Sequence, residues 1–357
     1  MTRRVRIGLA GLGRMGRIHA ANLSARCPSA RLACVFDTDA GAARQAGERF
    51  GVPWVTSYGD MLAGDRVDAV AIATPTATHA ELAVRAAQAG KHVFCEKPVS
   101  LERQATASAA DQVRAAGVAF QVGFHRRFDP DWVAAADRIR AGELGEVYLF
   151  RTSLRDMTPP SAQFLARSGG LFVDVTIHDL DTARWMVGEV TQVSAHGAAL
   201  SDPRFAETGD IDTAVVVLRF AGGALGVIDN SRAAGYGYEC STEVMGRNAT
   251  VRIDHPQYRH YEWRTPGWAA RALPRDFEQR YPDAYAAELE DFARCVAEGR
   301  PPGVTAYDAL AAFDLARAAD LSWRHGRAVT VEPRRVGPDV IYAVHPPGPP
   351  GPPRPPA

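Results

Sequence analysis

The chain has 357 residues, 46% hydrophobic and 23% charged, a globular balance too long for one ordinary core, so two domains are expected. Basic and acidic residues both number 41, and a formal net charge of zero gives no footprint for nucleic acid or an anionic membrane surface. Five scattered cysteines, odd in number and without paired spacing, argue against a disulfide scaffold or a zinc site and fit a reduced, cytoplasmic protein.

The basic-then-apolar start, Thr2 to Ala10, holds too short an apolar run for a signal peptide or a spanning helix and reads as a first strand. From there to about residue 123, short apolar runs alternate with alanine-rich helical stretches. Strands are predicted at Val5 to Ala10, Arg31 to Phe36, Ala69 to Ala73, His92 to Cys95 and Ala119 to Val122, with helices at Gly16 to Ala25, Ala40 to Phe50, His79 to Ala89 and Leu101 to Ala116. This is the pattern of a parallel, Rossmann-type α/β domain over residues 1–123.

After a helix at Asp131 to Ala141 the character changes. Runs at Val147 to Ser153, Val190 to His196, Thr213 to Phe220, Ala224 to Ser231, Thr242 to Met245 and Thr250 to Asp254 predict an open, mostly antiparallel sheet, with a hairpin at Ala221-Gly222-Gly223. Helices follow at Tyr281 to Glu298 and Thr305 to His325. The expected division is a second, α+β domain over 124–333, for substrate binding and oligomerisation, and a proline-rich, disordered tail over 334–357.

Three motifs carry chemistry. Gly11-Leu-Gly13-Arg14-Met15-Gly16, between the first strand and the first helix, has the form of a dinucleotide fingerprint. In it the first glycine makes the tight turn, the second lets a pyrophosphate approach the helix start, and the third lets helix and strand pack closely. Asp37 stands where an acid reads the adenosine ribose, and with Thr38 rather than an arginine beside it NAD is expected over NADP. Thr74, Pro75 and Thr76 follow a strand end and are placed on the nicotinamide side, while His79 is either part of the site or a helix start. Glu96-Lys97-Pro98 puts Lys97 where it either supports a substrate hydroxyl or pairs with Glu96. Finally, Asp174 and His178 lie four residues apart, so on one helix face Asp174 would orient His178 and stabilise its protonated form. The bland alternative is a capped helix with a structural histidine. No metal is expected, since Asp174, His178, Asp179 and Asp181 have no cysteine or second histidine to complete a set.

The fingerprint, Glu96-Lys97-Pro98, Gly123-Phe-His-Arg-Arg127-Phe-Asp-Pro130 and the Gly-Gly-x-x-x-Asp174-x-x-x-His178-Asp179 block together resemble the Gfo/Idh/MocA oxidoreductase family over roughly residues 4–332. That resemblance implies a catalytic set of Lys97, Asp174 and His178, with Arg127 and the aromatics near Tyr236 and Tyr238 lining a polyol pocket. It also implies NAD-dependent oxidation of a cyclic polyol, with myo-inositol first in line and another sugar or an aminocyclitol behind it, in a homotetramer. A rival of another class is a cofactor-binding regulator without catalysis. Arg126 and Arg127 read equally well as surface or interdomain charges.

Overall fold

A computed structural model describes residues 3–254 and 262–346. Six strands, β1 (Val5–Ala10), β2 (Ala30–Phe36), β3 (Trp54–Val55), β4 (Ala69–Ile72), β5 (His92–Cys95) and β6 (Phe120–Val122), form a parallel sheet in the order β3-β2-β1-β4-β5-β6. Its connections are α1 (Arg14–Ala25), α2 (Ala40–Phe50), α3 (Tyr58–Leu62), α4 (His79–Gln88) and α5 (Arg103–Ala115). Central strands such as β1 and β4 are apolar almost throughout because both faces are covered by helices. The order reverses between β1 and β4, which opens a crevice at the carboxyl ends of these strands.

The second sheet has eight strands: β7 (Val147–Arg155), β8 (Val190–Ala198), β9 (Thr213–Phe220), β10 (Leu225–Ser231), β11 (Glu239–Gly246), β12 (Thr250–Ile253), and further on β15 (Val329–Val336) and β16 (Asp339–His345). Between these come β13 (Glu262–Thr265) and β14 (Trp268–Arg271), a separate two-stranded ribbon. The large sheet is antiparallel apart from β10 and β7, which run parallel with Leu225 opposite Leu149. As expected, β9 and β10 form a hairpin through Ala221-Gly222-Gly223, and Gly223 takes φ = +93°.

The helices of this half are α6 (Pro130–Arg140), α7 (Ala162–Ser168), α8 (Ile177–Val187), α9 (Pro203–Glu207), α10 (Phe277–Arg280), α11 (Pro282–Glu298) and α12 (Ala306–His325). Helices α8 and α12 cover one face of the large sheet. Along β9 the alternation is strict: Ala214, Val216 and Leu218 are buried under the helices, whereas Val215 and Val217 are exposed on the other side with Leu225 and Met245.

Two expected boundaries are corrected. Helix α11 returns to the nucleotide domain, where Leu289, Phe292 and Ala293 join the core of Val5, Ile7, Leu9 and Leu23. Their spacing gives α11 an apolar stripe that fits the uncovered side of α1 and β1, so residues 124–333 do not form one separate unit. The region from 334 is not all tail either. Strand β16 pairs with β15 through a two-residue turn at Gly337-Pro338, and Tyr342 is buried, its hydroxyl accepting the Val190 N–H at 3.1 Å. The Pro-rich segment from 347 onward lies outside the described residues.

Candidate active site

Where β1 ends the chain turns at Gly11 with φ = +91°, and a Cβ there would stand 2.6 Å from the carbonyl oxygen of Ala73. Gly16 is tied to the same turn, since a Cβ on it would overlap the Gly11 carbonyl oxygen. Gly13 faces open space, and α1 begins there without a side-chain cap, which leaves first-turn N–H groups for an anion. Asp37 accepts the Leu12 N–H at 2.9 Å and the Asp39 N–H at 3.0 Å, fixing its carboxylate beside the glycine turn. These groups fit a dinucleotide: amides for the pyrophosphate, a carboxylate for the ribose.

The neighbouring groups take varied parts. Arg14 is half-exposed and reaches across the crevice to Asp276, at 3.0 Å, and Glu278, with its guanidinium 4.3 Å from the Phe277 ring centroid. Met15 packs against the core. Thr74 bonds Thr78 between hydroxyls at 2.7 Å, and Pro75 and Thr76 stay at the surface of the turn. His79 is buried, with Nδ1 2.9 Å from the Pro98 carbonyl oxygen and Nε2 2.6 Å from that of Thr74. It joins the loops after β4 and β5 and has no ring nitrogen left for a cofactor.

Glu96 does not pair with Lys97. It is held from α1 by His19, whose Nε2 lies 2.6 Å from Oε1, a hydrogen-bond distance. The carboxyl of Glu288 on α11 is buried nearby with no hydrogen-bond partner among the described residues, and burial together with the Glu96 charge pushes it well above the usual range. Lys97 turns instead to Asp174, donating from Nζ to the carbonyl oxygen at 2.8 Å and to Oδ1 at 3.2 Å. The other carboxylate oxygen of Asp174 lies 3.0 Å from Nη2 of Arg232.

Asp174 sits in a π-helical turn, Phe172–Thr176, that runs into α8. Burial alone would raise its carboxyl, but Lys97 and Arg232 outweigh burial and hold it below its usual value. His178, on the first turn of α8, is half-buried with its ring edge-on to Phe124 and His125, at 5.8 and 5.2 Å between centroids. Its Nδ1 has no hydrogen-bond partner among the described residues. Burial, then the charge of Lys97 and the neighbouring His125 and Arg126, push it well below 6.5, so it is a neutral imidazole at pH 7. The expectation that Asp174 orients His178 and favours its protonated form is therefore corrected. Both Asp174 oxygens go to cations, which are stronger partners for a carboxylate than a neutral ring.

A crevice joining a dinucleotide cradle to a lysine, a carboxylate and a neutral histidine is the frame in which the comparisons with known proteins fall. Residues 5–124 match an oxidoreductase family's NAD-binding Rossmann fold, and residues 136–331 match the same family's C-terminal alpha/beta domain. The chain belongs to the Gfo/Idh/MocA oxidoreductase family. It is 41% identical to an uncharacterised oxidoreductase of Bacillus subtilis, over 93% of this chain and 98% of that one, and 38% identical to the scyllo-inositol 2-dehydrogenase (NAD(+)) of the same organism, over 94% and 98%. Among solved structures, a myo-inositol dehydrogenase from Corynebacterium glutamicum superposes with a TM-score of 0.88 at 34% identity, covering 93% of this chain and all of that one. As a Gfo/Idh/MocA member the chain is an NAD-dependent dehydrogenase acting on a CH–OH group.

Of the expected substrate contacts, Arg127 is committed to acids within the protein and Tyr236 lies at the surface. Arg127 is buried between α8 and α12, with Nε and Nη2 on Asp181 at 2.9 and 2.6 Å and Nη2 also 3.1 Å from Asp308. Arg126 is likewise committed, to Asp179 at 2.6 Å, and Asn230 holds the other oxygen of that carboxylate at 2.8 Å. Tyr236 is exposed and bonds Arg155 and Glu239 at the rim of the open sheet face. Tyr238 is buried, edge-on to Tyr281.

Sequence reasoning missed Arg232 and Asp156. Both follow strand ends, β10 and β7, whose parallel pairing sets them side by side. The signal available was position alone: Arg232 directly follows the run predicted as a strand, Ala224 to Ser231, and sites gather at sheet ends.

Proposed function

We propose that this enzyme oxidises one hydroxyl of an inositol to the ketone, with myo-inositol to 2-keto-myo-inositol as the first assignment. The observation that carries the reading is the grip of Asp174 on Lys97. Two of the three ammonium N–H groups go to Asp174, and the third is left to hold a substrate hydroxyl oxygen and to stabilise the negative charge it gains. His178, neutral and beside that ammonium, takes the hydroxyl proton. NAD supplies the hydride acceptor. The first-turn amides after Gly13 and the carboxylate of Asp37 would hold it, and His79 braces the loops after β4 and β5 beside that cradle.

Support for an inositol comes from the relatives, one named for scyllo-inositol and one solved structure for myo-inositol. The second reading, a sibling enzyme for another sugar or an aminocyclitol, keeps the same roles for Lys97, Asp174 and His178. A panel of inositol isomers, sugars and aminocyclitols with NAD, followed by NADH absorbance, decides between them. Turnover of myo-inositol above the other isomers is expected, and efficient turnover of a non-inositol alone would move the chain to the sibling reading.

The exposed row of Val215, Val217, Leu225 and Met245 supports assembly through the open sheet face, in a homotetramer. A cytoplasmic setting agrees with five buried, free cysteines. Among the described residues no helix is long and apolar enough to cross a membrane.

A further inference from the structure

We propose that Arg232 is a positioning residue for this reaction: its buried guanidinium holds Asp174 as a fixed anion and thereby sets where the Lys97 ammonium stands. The inference rests on the role given to Lys97 above and extends it by one residue.

Arg232 directly follows β10. Its backbone N–H donates to the Asp212 carbonyl at 2.8 Å, and its side chain is 2% exposed. Nη2 lies 3.0 Å from Oδ2 of Asp174, an ion pair made outside hydrogen-bond geometry, and neither Nη2 nor Nε has a hydrogen-bond partner among the described residues. Burying a guanidinium costs several kcal/mol, and a buried ion pair is weak evidence for stability, because a well-packed apolar side chain serves as well or better. An arginine kept here with part of its donor set unused is therefore better explained by what it does to Asp174.

The result is a row of alternating charge, Lys97, Asp174, Arg232, with Asp156 beyond. The Asp156 N–H donates to the Ser231 carbonyl and its own carbonyl accepts from Ala234, both at 2.8 Å, so its backbone is laced to both sides of Arg232. The charged groups facing Asp156 are Arg232, Asp174, Lys97 and Arg14. Those facing Asp174 are Lys97 and Arg232, with the charge of Asp156 farther off. One guanidinium thus pairs with Asp174 at 3.0 Å and also adds its charge to the field at Asp156. Without it, Lys97 would be the nearest cation for both and would be drawn off the line on which its third N–H meets the hydroxyl oxygen. Asp174 would also take up a proton more readily.

Lys91 and Lys97 are the only lysines in the chain, so amine chemistry reads Lys97 directly with Lys91 as internal reference. Arg232→Met removes the charge while filling the space, and Arg232→Lys keeps a charge on a shorter, single-point group. Reductive methylation with formaldehyde and a borane, followed by peptide mass spectrometry, should show Lys97 reacting severalfold more slowly in Arg232→Met, because an ammonium left to pair with two carboxylates is deprotonated less often, with Arg232→Lys between it and wild type. In polyol oxidation kcat should fall by about 10-fold or more, the size of a misplacement effect, with NAD affinity retained. The acid limb of kcat/KM should move up by roughly one pH unit as a cation beside two carboxylates is lost.

A purely structural arginine would lower thermal stability and leave Lys97 reactivity and the acid limb alone. That result in folded Arg232→Met overturns the proposal. If Arg232→Met does not fold, Arg232→Gln, which removes the charge and keeps a polar donor, decides on the same two readouts, wild-type values in both overturning it. A wild-type enzyme that oxidises no polyol would overturn the functional reading instead, and Lys97 reactivity would still test Arg232.

Discussion

Nζ of Lys97 donates to Asp174 twice, to the carbonyl oxygen at 2.8 Å and to Oδ1 at 3.2 Å. The ammonium is therefore fixed in both direction and depth before a substrate arrives, and the carboxylate beneath it is kept ionised by a second cation.

Removing the fixed ammonium should be severe. Lys97→Ala should lower kcat by about 10² to 10³, the usual loss for one donor to a developing oxyanion. His178→Ala should cost about 10² to 10⁴, the range for a general base. NAD affinity, read by fluorescence titration, should stay near wild type in both. Asp174→Asn should slow turnover through Lys97 rather than through the histidine. Wild-type turnover in any of these variants would remove that residue from the reaction.

Cofactor choice follows from Asp37. With its carboxylate fixed by the Leu12 and Asp39 N–H groups, it should accept from a ribose hydroxyl and repel a 2′-phosphate. NAD should be used far better than NADP in steady-state assays, and Asp37→Ala combined with Thr38→Arg should narrow the gap. A native preference for NADP would contradict the assignment.

The pH profile should separate two acids in the crevice. Burial pushes the Asp156 carboxyl up to about 6, against the pull of Arg232 and with Asp174 adding to the rise, whereas His178 is held well below 6.5. An acid limb of kcat/KM near pH 6 should therefore belong to Asp156, and Asp156→Asn should abolish it while His178→Gln should not. The stability sign runs the opposite way. The folded-state value lies above the ordinary 3.8, so charging Asp156 disfavours the fold. Asp156→Asn should raise Tm above pH 6, with the gain shrinking as pH falls from 6 towards 4. A gain that persisted at pH 4 would exclude this titration as its cause.

Assembly should depend on the open sheet face. Leu225→Glu and Val217→Arg place charges in the exposed apolar row and should shift light scattering to smaller species without unfolding the subunit. A wild type that is monomeric at micromolar concentration would sink the proposal.

The terminal hairpin should be structural. Tyr342 is buried, bonds Val190 and Glu189, and accepts no replacement of its ring without a cavity. Tyr342→Ala should cost about 3 kcal/mol or more in denaturant unfolding, whereas deleting residues 347–357 leaves all these contacts in place and should change neither stability nor activity.

Much of this architecture was legible because periodicity and glycine placement are local properties. β1, β5, β9 and α2 fall where the apolar runs put them, and Gly11, Gly13 and Gly16 make the turn their spacing implied. What the sequence hid was long-range pairing. Four-residue spacing places Asp174 near His178, but it cannot show that Lys97 and Arg232, 77 and 58 positions away, compete for the same carboxylate and win. Arg127 shows the same limit, since only the packing of α8 against α12 reveals the two acids that occupy it. β15 and β16 were obscured by Pro333 and the arginines around it. The proline is tolerated because β15 pairs with β8 only at Val329 and Thr330, so its missing N–H interrupts no ladder there.

The return of α11 to the nucleotide domain gives the molecule three covalent crossings: near residue 124, between α10 and α11, and between α11 and α12. Two lobes joined by a single linker can swing about many axes, but three separated tethers act as the knuckles of a hinge. Any opening of the crevice must bend all three together, which restricts it to a narrow arc and keeps the cofactor and catalytic walls in register. A chimera that exchanges substrate halves between relatives would have to keep residues 282–298 with the amino-terminal half, although they are encoded far into the other.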